Sequence, residues 1–190
     1  MQRLSVRNCS RPWLMEGLRC GKPRIVSCKM LETWFLFTDA SFDKLEGSGL
    51  GAVLVSREGT VHSWFELQLS LLQLGPLLSG GAETVIGELE TLVVAMALMI
   101  WSSLLESTQV LVYIDNEGSK YSLIKGYSSS RAISLICTLA STALDSHYIL
   151  PWFGRVPSPS NIADYPSRQL DHPLLVKNLQ IPEGEVQRTF

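Results

Sequence analysis

Residues 35–54 read FLFTDASFDKLEGSGLGAVL. An apolar, aromatic run enters an aspartate, a glycine-spaced turn follows, and a second apolar run leaves it. Short β-rich runs separated by turn residues predict paired strands, and Gly47, Gly49 and Gly51 permit a turn and close backbone approach. An acid at the tip of what otherwise reads as a buried strand asks whether other acids meet it there.

On either side the pattern predicts the rest of a sheet. TWFLFTDA (33–40) and GLGAVLVS (49–56) are two strands, REG (57–59) is a turn, and TVHSWFEL (60–67) is a third strand, giving an antiparallel meander. Residues 67–84 are apolar but broken by Gly75, Pro76 and Gly80–Gly81, and read as a long connection. TVIGELETLVVAMALMIWSSLL (84–105) is a helix apolar on much of its circumference, hence largely buried. TQVLVYID (108–115) has the continuous apolar character of a central parallel strand. A short helix starts near Asn116, a second follows over 128–146 with a serine available as cap, and HYILPWFGRVP (147–157) is a last strand whose Pro151 suits an edge or bulge. SPSNIADYPSR (158–168) is a loop entering a short helix that stops near Pro166. The order β-β-β-α-β-α-α-β-α implies an α/β fold with a mixed five-stranded sheet, three antiparallel strands and then parallel ones, flanked by helices.

Charge divides the chain. Residues 1–30 carry seven basic side chains against the single acid Glu16, a balance of +6, and the remainder carries −8. We expect a basic, disordered leader over 1–30, a folded domain over 31–172 and a tail over 173–190. An acidic body that handles a polyanion needs cations to mediate. Cys9, Cys20, Cys28 and Cys137 form no CxxC pair, which argues against structural zinc, and Cys137 lies in an apolar pattern that reads as core. A disulfide framework is not expected in so large a chain, residues 1–30 lack the apolar core of a secretory signal, and the apolar run LVVAMALMIW (92–101) is far short of the ~20 residues that span a bilayer. A soluble intracellular protein of cytoplasm or nucleus is expected.

Four acids fall at informative places: Asp39 ends the first strand, Glu88 or Glu90 lies early in the long helix, Asp115 ends the fourth strand, and Asp164 opens the last short helix. Each has a plain reading, Asp39 as a turn former, Asp115 and Asp164 as caps, the glutamates as partners of a helix dipole. Together at the ends of neighbouring strands they would repel one another unless hard cations neutralised them. Magnesium suits an all-oxygen cluster, and two such ions ~3.5–4 Å apart form the clamp used in phosphodiester hydrolysis.

The motifs FTDAS with GSGLGAVL, IGELETLVVAMAL, VYIDNEGSKYSLIKG and RVPSPSNIADYPSR resemble the ribonuclease H domain of retroelement (retrotransposon) reverse transcriptases over roughly 33–170, the N-x-x-A-D-x-x-S-R arrangement being the most specific. The resemblance implies a metal-dependent endonuclease that cuts the RNA strand of RNA–DNA hybrids with two Mg²⁺ ions, for which Mn²⁺ can substitute. It implies catalytic and metal-binding roles for Asp39, Glu90, Asp115 and Asp164. Glu88 rivals Glu90, which is preferred because related domains with an ELE run use the second glutamate. Ser41, Asn116 and Ser119 would contact the nucleic-acid backbone, and Arg155 and Arg168 phosphate, with a structural salt bridge as the rival role for Arg168. His62 and His147 are expected to pack within strands. His172, just past the last motif, is where some such domains place a histidine that helps product leave. A polymerase domain is the implied partner.

Four other readings compete. An idle retroelement-derived module would be a structural or protein-interaction domain. A sugar-kinase relative needs D-x-G-x-T where this chain has TDASF, and a proofreading exonuclease needs a glutamate where Ser41 stands. YIDN (113–116) lacks the second acid of a polymerase palm.

Overall fold

The computed structural model describes residues 32–45, 47–78 and 85–189. The expected basic leader over 1–30, with Cys9, Cys20 and Cys28, lies outside them. Five strands form one sheet. Strand β1 (Thr33–Asp43) pairs antiparallel with β2 (Gly47–Val55), and β2 antiparallel with β3 (Val61–Leu69). Strand β4 (Gln109–Ile114) runs parallel to β1, and β5 (Leu150–Arg155) parallel to β4, giving the order β3-β2-β1-β4-β5.

Asp39 is not at the strand tip. β1 continues to Asp43, paired there with β2 alone, because its ladder with β4 stops at Phe37–Tyr113. Asp39 therefore stands where β1 loses its parallel neighbour, and Asp115 directly follows the end of β4. The two acids share one notch in the sheet.

Pro151 occupies an outer strand. Leu150 N–H donates to Thr108 O and Val156 N–H to Ile114 O, so the even-numbered residues of β5 face β4. The nitrogen of Pro151 faces the open edge, where a missing N–H costs no ladder bond.

Helix α2 (Ile86–Ile100) lies in the main core, with Leu89, Val93, Val94, Ala95, Ala97 and Leu98 fully buried. It packs on β1 and β2, on α4 (Arg131–Ser146) and on α6 (Glu183–Thr189). Helix α3 (Glu117–Lys125) starts at Asn116, whose Oδ1 accepts the Ser119 N–H, and ends at Gly126 with φ +76°. Ser130 caps α4, and Cys137 is one of the helix's buried residues.

Where the sequence reads as a connection over 67–84, the structure has the end of β3 and then α1 (Leu71–Leu78). Ser70 N–H and Oγ–H both donate to Gln73 Oε1 at 2.9 Å, a capping exchange that starts the helix despite Gly75 and Pro76 downstream. His147 is not in a strand either, since it follows the last turn of α4. His62 lies in β3 as expected, exposed and edge-on to Trp34.

The other face of the sheet carries a smaller core of Val53, Val55, Trp64, Ala163 and Leu175. It is covered by α5 (Asp164–Ser167) and by the segment beyond it. The stretch 173–189, set apart above as a tail, packs on the same domain. Trp64 Nε1–H donates to Val176 O at 3.1 Å, Ile181 N–H to Trp64 O at 2.8 Å, and Val186 is fully buried. Among the described residues no helix is long and apolar enough to cross a membrane.

Candidate active site

The glycines of β2 decide how close α5 comes. A Cβ on Gly49 would stand 1.9 Å from Ser167 O, and one on Gly51 2.5 Å from Ser167 N and 2.7 Å from Ala163 O. These are backbone atoms that cannot swing aside, so only glycine lets α5 lie on the strand. That approach brings Ser167 to Asp39. Ser167 Oγ–H donates a short bond to Asp39 Oδ2, and Asn161 Nδ2–H donates to Thr38 O at 2.9 Å and to Asp39 Oδ1 at 3.5 Å. Ser41 Oγ–H in turn donates to Ser167 O at 2.7 Å.

Helix α2 chooses between its two glutamates by packing. Residues two apart differ by about 200° around a helix. Glu90 turns to the sheet and is 3% exposed, whereas Glu88 turns to α4 and accepts from Ser130 Oγ at 2.9 Å. Exchanging them would rotate Leu89, Val93 and Leu98 out of the core, at about 1.5–3 kcal/mol each. Glu90 Oε1 accepts the Ala40 N–H at 3.3 Å, whereas Glu90 Oε2 is buried with no donor to accept from.

Asp39, Glu90 and Asp115 each bring a carboxylate oxygen within 4.8 Å of the other two, an acid cluster able to hold a metal ion. At that separation an effective dielectric of about 20 gives repulsion of roughly 3 kcal/mol per ionised pair. The site responds by keeping protons. Burial pushes the Glu90 carboxyl up to about 9, reinforced by the charges of Asp39 and Asp115 and by a hydrogen bond to Asp115 that favours the protonated form. Burial also raises Asp39 to about 6, against the lowering effect of the Ser167 bond. Asp115 is half-buried, and its Oδ2 accepts from Ser158 Oγ at 2.9 Å. A buried carboxyl oxygen with no donor to accept from, on a Glu90 that otherwise keeps its proton beside two further carboxyl groups, fits a hard divalent cation.

Asp164 is not in that trio. It lies at the rim, 2.6 Å from Arg168 Nε, close enough for its charge to raise Asp39. Arg168 thus makes the salt bridge named as its rival role, while also lining the cleft. That cleft, of about 910 Å³, is bordered by Asp39, Glu90, Asp115, Asn116, Ser167 and Arg168. Ser41 lines it too, its hydroxyl engaged with Ser167 and Gly49.

Ser119 corrects the expectation of a nucleic-acid contact. It is 1% exposed and donates its hydroxyl to Gly87 O at 3.1 Å, tying α3 to α2. Arg155 is exposed, 3.6 Å from Glu117. His172 lies against Tyr165, the residue after Asp164, with ring centroids 4.4 Å apart and planes tilted by 54°. Asn161, Ser158 and Ser167 were not singled out as site residues, although all three lie in the quoted RVPSPSNIADYPSR motif.

The sheet order, the α2 packing and the carboxylate notch together invite comparison with solved structures. The ribonuclease H1 of the halophilic archaeon Halobacterium salinarum superposes with a TM-score of 0.58 at 14% identity, over 72% of this chain and 96% of that one. LC11-RNase H1, solved in complex with an RNA/DNA hybrid, gives 0.60 at 15% identity over 72% and 95%. The chain has a ribonuclease H-like fold. The foamy viral protease-reverse transcriptase, also solved with an RNA/DNA hybrid, gives 0.50 at 16% identity, over 78% of this chain and 21% of that one. No protein-family model and no curated protein sequence matches. At these identities the likeness to ribonucleases H is one of fold.

Proposed function

We propose that the chain is a divalent-metal-dependent endonuclease that hydrolyses the RNA strand of RNA–DNA hybrids, as the ribonuclease H part of a retroelement reverse transcriptase. The observation that carries the reading is the buried Glu90 carboxyl group, whose Oε2 has no donor to accept from, beside Asp39 and Asp115. A purely structural helix has no use for an acid held protonated there at such cost.

In this reading Asp39, Glu90 and Asp115 would hold one Mg²⁺, and Asp164 with Asp39 a second, with Mn²⁺ able to replace both. Bound there, such ions would supply activation of a water and charge stabilisation of the leaving oxygen. The chain's own work is orientation. Ser167 and Asn161 fix the two oxygens of Asp39, Ala40 N–H fixes Glu90, and Ser158 fixes Asp115. Asn116, Ser41 and Gln68 offer polar edges to a sugar-phosphate backbone along the cleft. Arg155 and Arg168 supply cations for backbone phosphate in a body whose net charge is negative. Residues 31–172 carry every site residue, the basic stretch 1–30 supplies further electrostatic attraction, and a polymerase domain supplies additional grip on the duplex.

The test is incubation of an end-labelled RNA–DNA hybrid with the full chain in Mg²⁺ or Mn²⁺, beside the matching double-stranded RNA and DNA. Internal cuts in the hybrid's RNA, abolished by chelation and restored by excess ion, support the reading. A folded chain that cuts nothing in either ion contradicts it and favours a structural or protein-interaction module.

A further inference from the structure

The Asp164–Arg168 pair sits oddly for a site of this kind. Asp164 is the one expected ligand outside the carboxylate trio, and the group that engages it, Arg168, lines the cleft. Both side chains reach solvent, at 32% and 56% exposure, so neither is locked by packing. Arg168 directly follows α5 as its C-cap, and the chain leaves it through Gln169 at φ +56°. Moving the Arg168 side chain therefore disturbs no helix interior.

We propose that Arg168 is the counter-ion that holds Asp164 away from the cluster in the free chain, and that it transfers to a backbone phosphate when cations and duplex fill the cleft. This rests on the reading of the site given above. Charge balance motivates the exchange. Four carboxylates carry four negative charges, which two divalent ions cancel, leaving the guanidinium without a partner and repelling the ions. One phosphodiester restores the match, and a guanidinium fork suits phosphate as well as carboxylate. Arg168 is thus a positioning residue for Asp164, and it couples occupancy of the second ion site to the arrival of nucleic acid.

The rival account makes the pair a permanent brace across a four-residue helix, and ion affinity separates the two. Mn²⁺ binding to the full chain without nucleic acid is followed by the electron-spin resonance of free Mn²⁺. Wild type is compared with Arg168→Gln, Asp164→Asn and the double variant. Releasing an exposed ion pair is expected to tighten the weaker Mn²⁺ about fivefold in Arg168→Gln, and less than twofold when Asp164 is already Asn. In Ca²⁺ the same Arg168→Gln chain is expected to bind a 20-base-pair RNA–DNA hybrid about tenfold more weakly than wild type, as loss of a charge-assisted phosphate bond implies. Arg168→Lys, which keeps a cation of similar reach, serves for comparison if the glutamine variant melts early. Equal Mn²⁺ affinity in folded wild type and Arg168→Gln overturns this inference and leaves the reading of the site intact. A folded wild-type chain that binds no Mn²⁺ overturns both.

Discussion

Glu90→Gln should make the metal-free protein more stable at neutral and alkaline pH. Below pH ~4.5 Glu90 is protonated in both folded and unfolded chains and costs nothing. Above it the unfolded chain releases the proton, while the folded one keeps it until about pH 9. The folded state then binds the extra proton, so stability falls as pH rises. Between pH 5 and 8 the loss from Glu90 alone approaches about 4 kcal/mol for a rigid site at 1.36 kcal/mol per pKa unit, and about 2 kcal/mol if water entry halves it. In a chain of this size 2 kcal/mol corresponds to roughly 4–8 °C in Tm. Asp39, raised to about 6, adds a smaller decline that is complete by about pH 6 to 7. Glutamine keeps the acceptor for Ala40 N–H and places a donor where the orphan oxygen faces Asp39 and Asp115. Thermal unfolding in chelator at pH 5, 6.5 and 8 should show Tm falling in wild type and a shallower slope in Glu90→Gln. Saturating Mg²⁺ should raise wild-type Tm at pH 8 and leave the variant almost unmoved. A flat wild-type profile, or parallel slopes, would refute the reasoning.

Three further outcomes follow from the packing. Gly49→Ala drives a Cβ into Ser167 O and should cost about 2–3 kcal/mol in urea unfolding, while lowering cleavage more than Tm alone explains, because α5 must lift from Asp39. Ser167→Ala removes the bond that favours ionised Asp39, so the pH midpoint of Mn²⁺ binding should move upward, with cleavage down about tenfold. Ser119→Ala should cost about 1 kcal/mol of stability yet leave hybrid affinity unchanged, since its hydroxyl serves Gly87 O.

Those outcomes separate what was legible in the sequence from what was not. The sheet could be read because each strand announces itself locally, β1 and β4 by apolar runs and β2 by glycine spacing. Asp39 and Asp115 could be paired because parallel neighbours bring strand ends together. The IGELE run left two candidates because helical periodicity sets which residues share a face and only packing sets which face meets the sheet. Ser167 and Asn161 were passed over because their contacts with Asp39 span 128 and 122 positions and exist only once α5 lies on β2. Ser119 was placed in the cleft by analogy of position, although α3 turns it inward. The helix over 71–78 had a local signal in Ser70 and Gln73, outweighed in reading by Gly75 and Pro76.

The most direct test of the central claim is single-turnover cleavage of an RNA–DNA hybrid in Mg²⁺ by wild type and by Asp115→Asn, with both strands labelled. Asp115 is half-buried and accepts one hydroxyl, so asparagine should keep the fold while removing a charge from the cluster. The account predicts cuts in the RNA strand alone and a loss of about a hundred- to a thousandfold in the variant, the range assigned to an electrostatic group acting on developing charge. Equal rates for the two chains, or cutting of both strands, would contradict it.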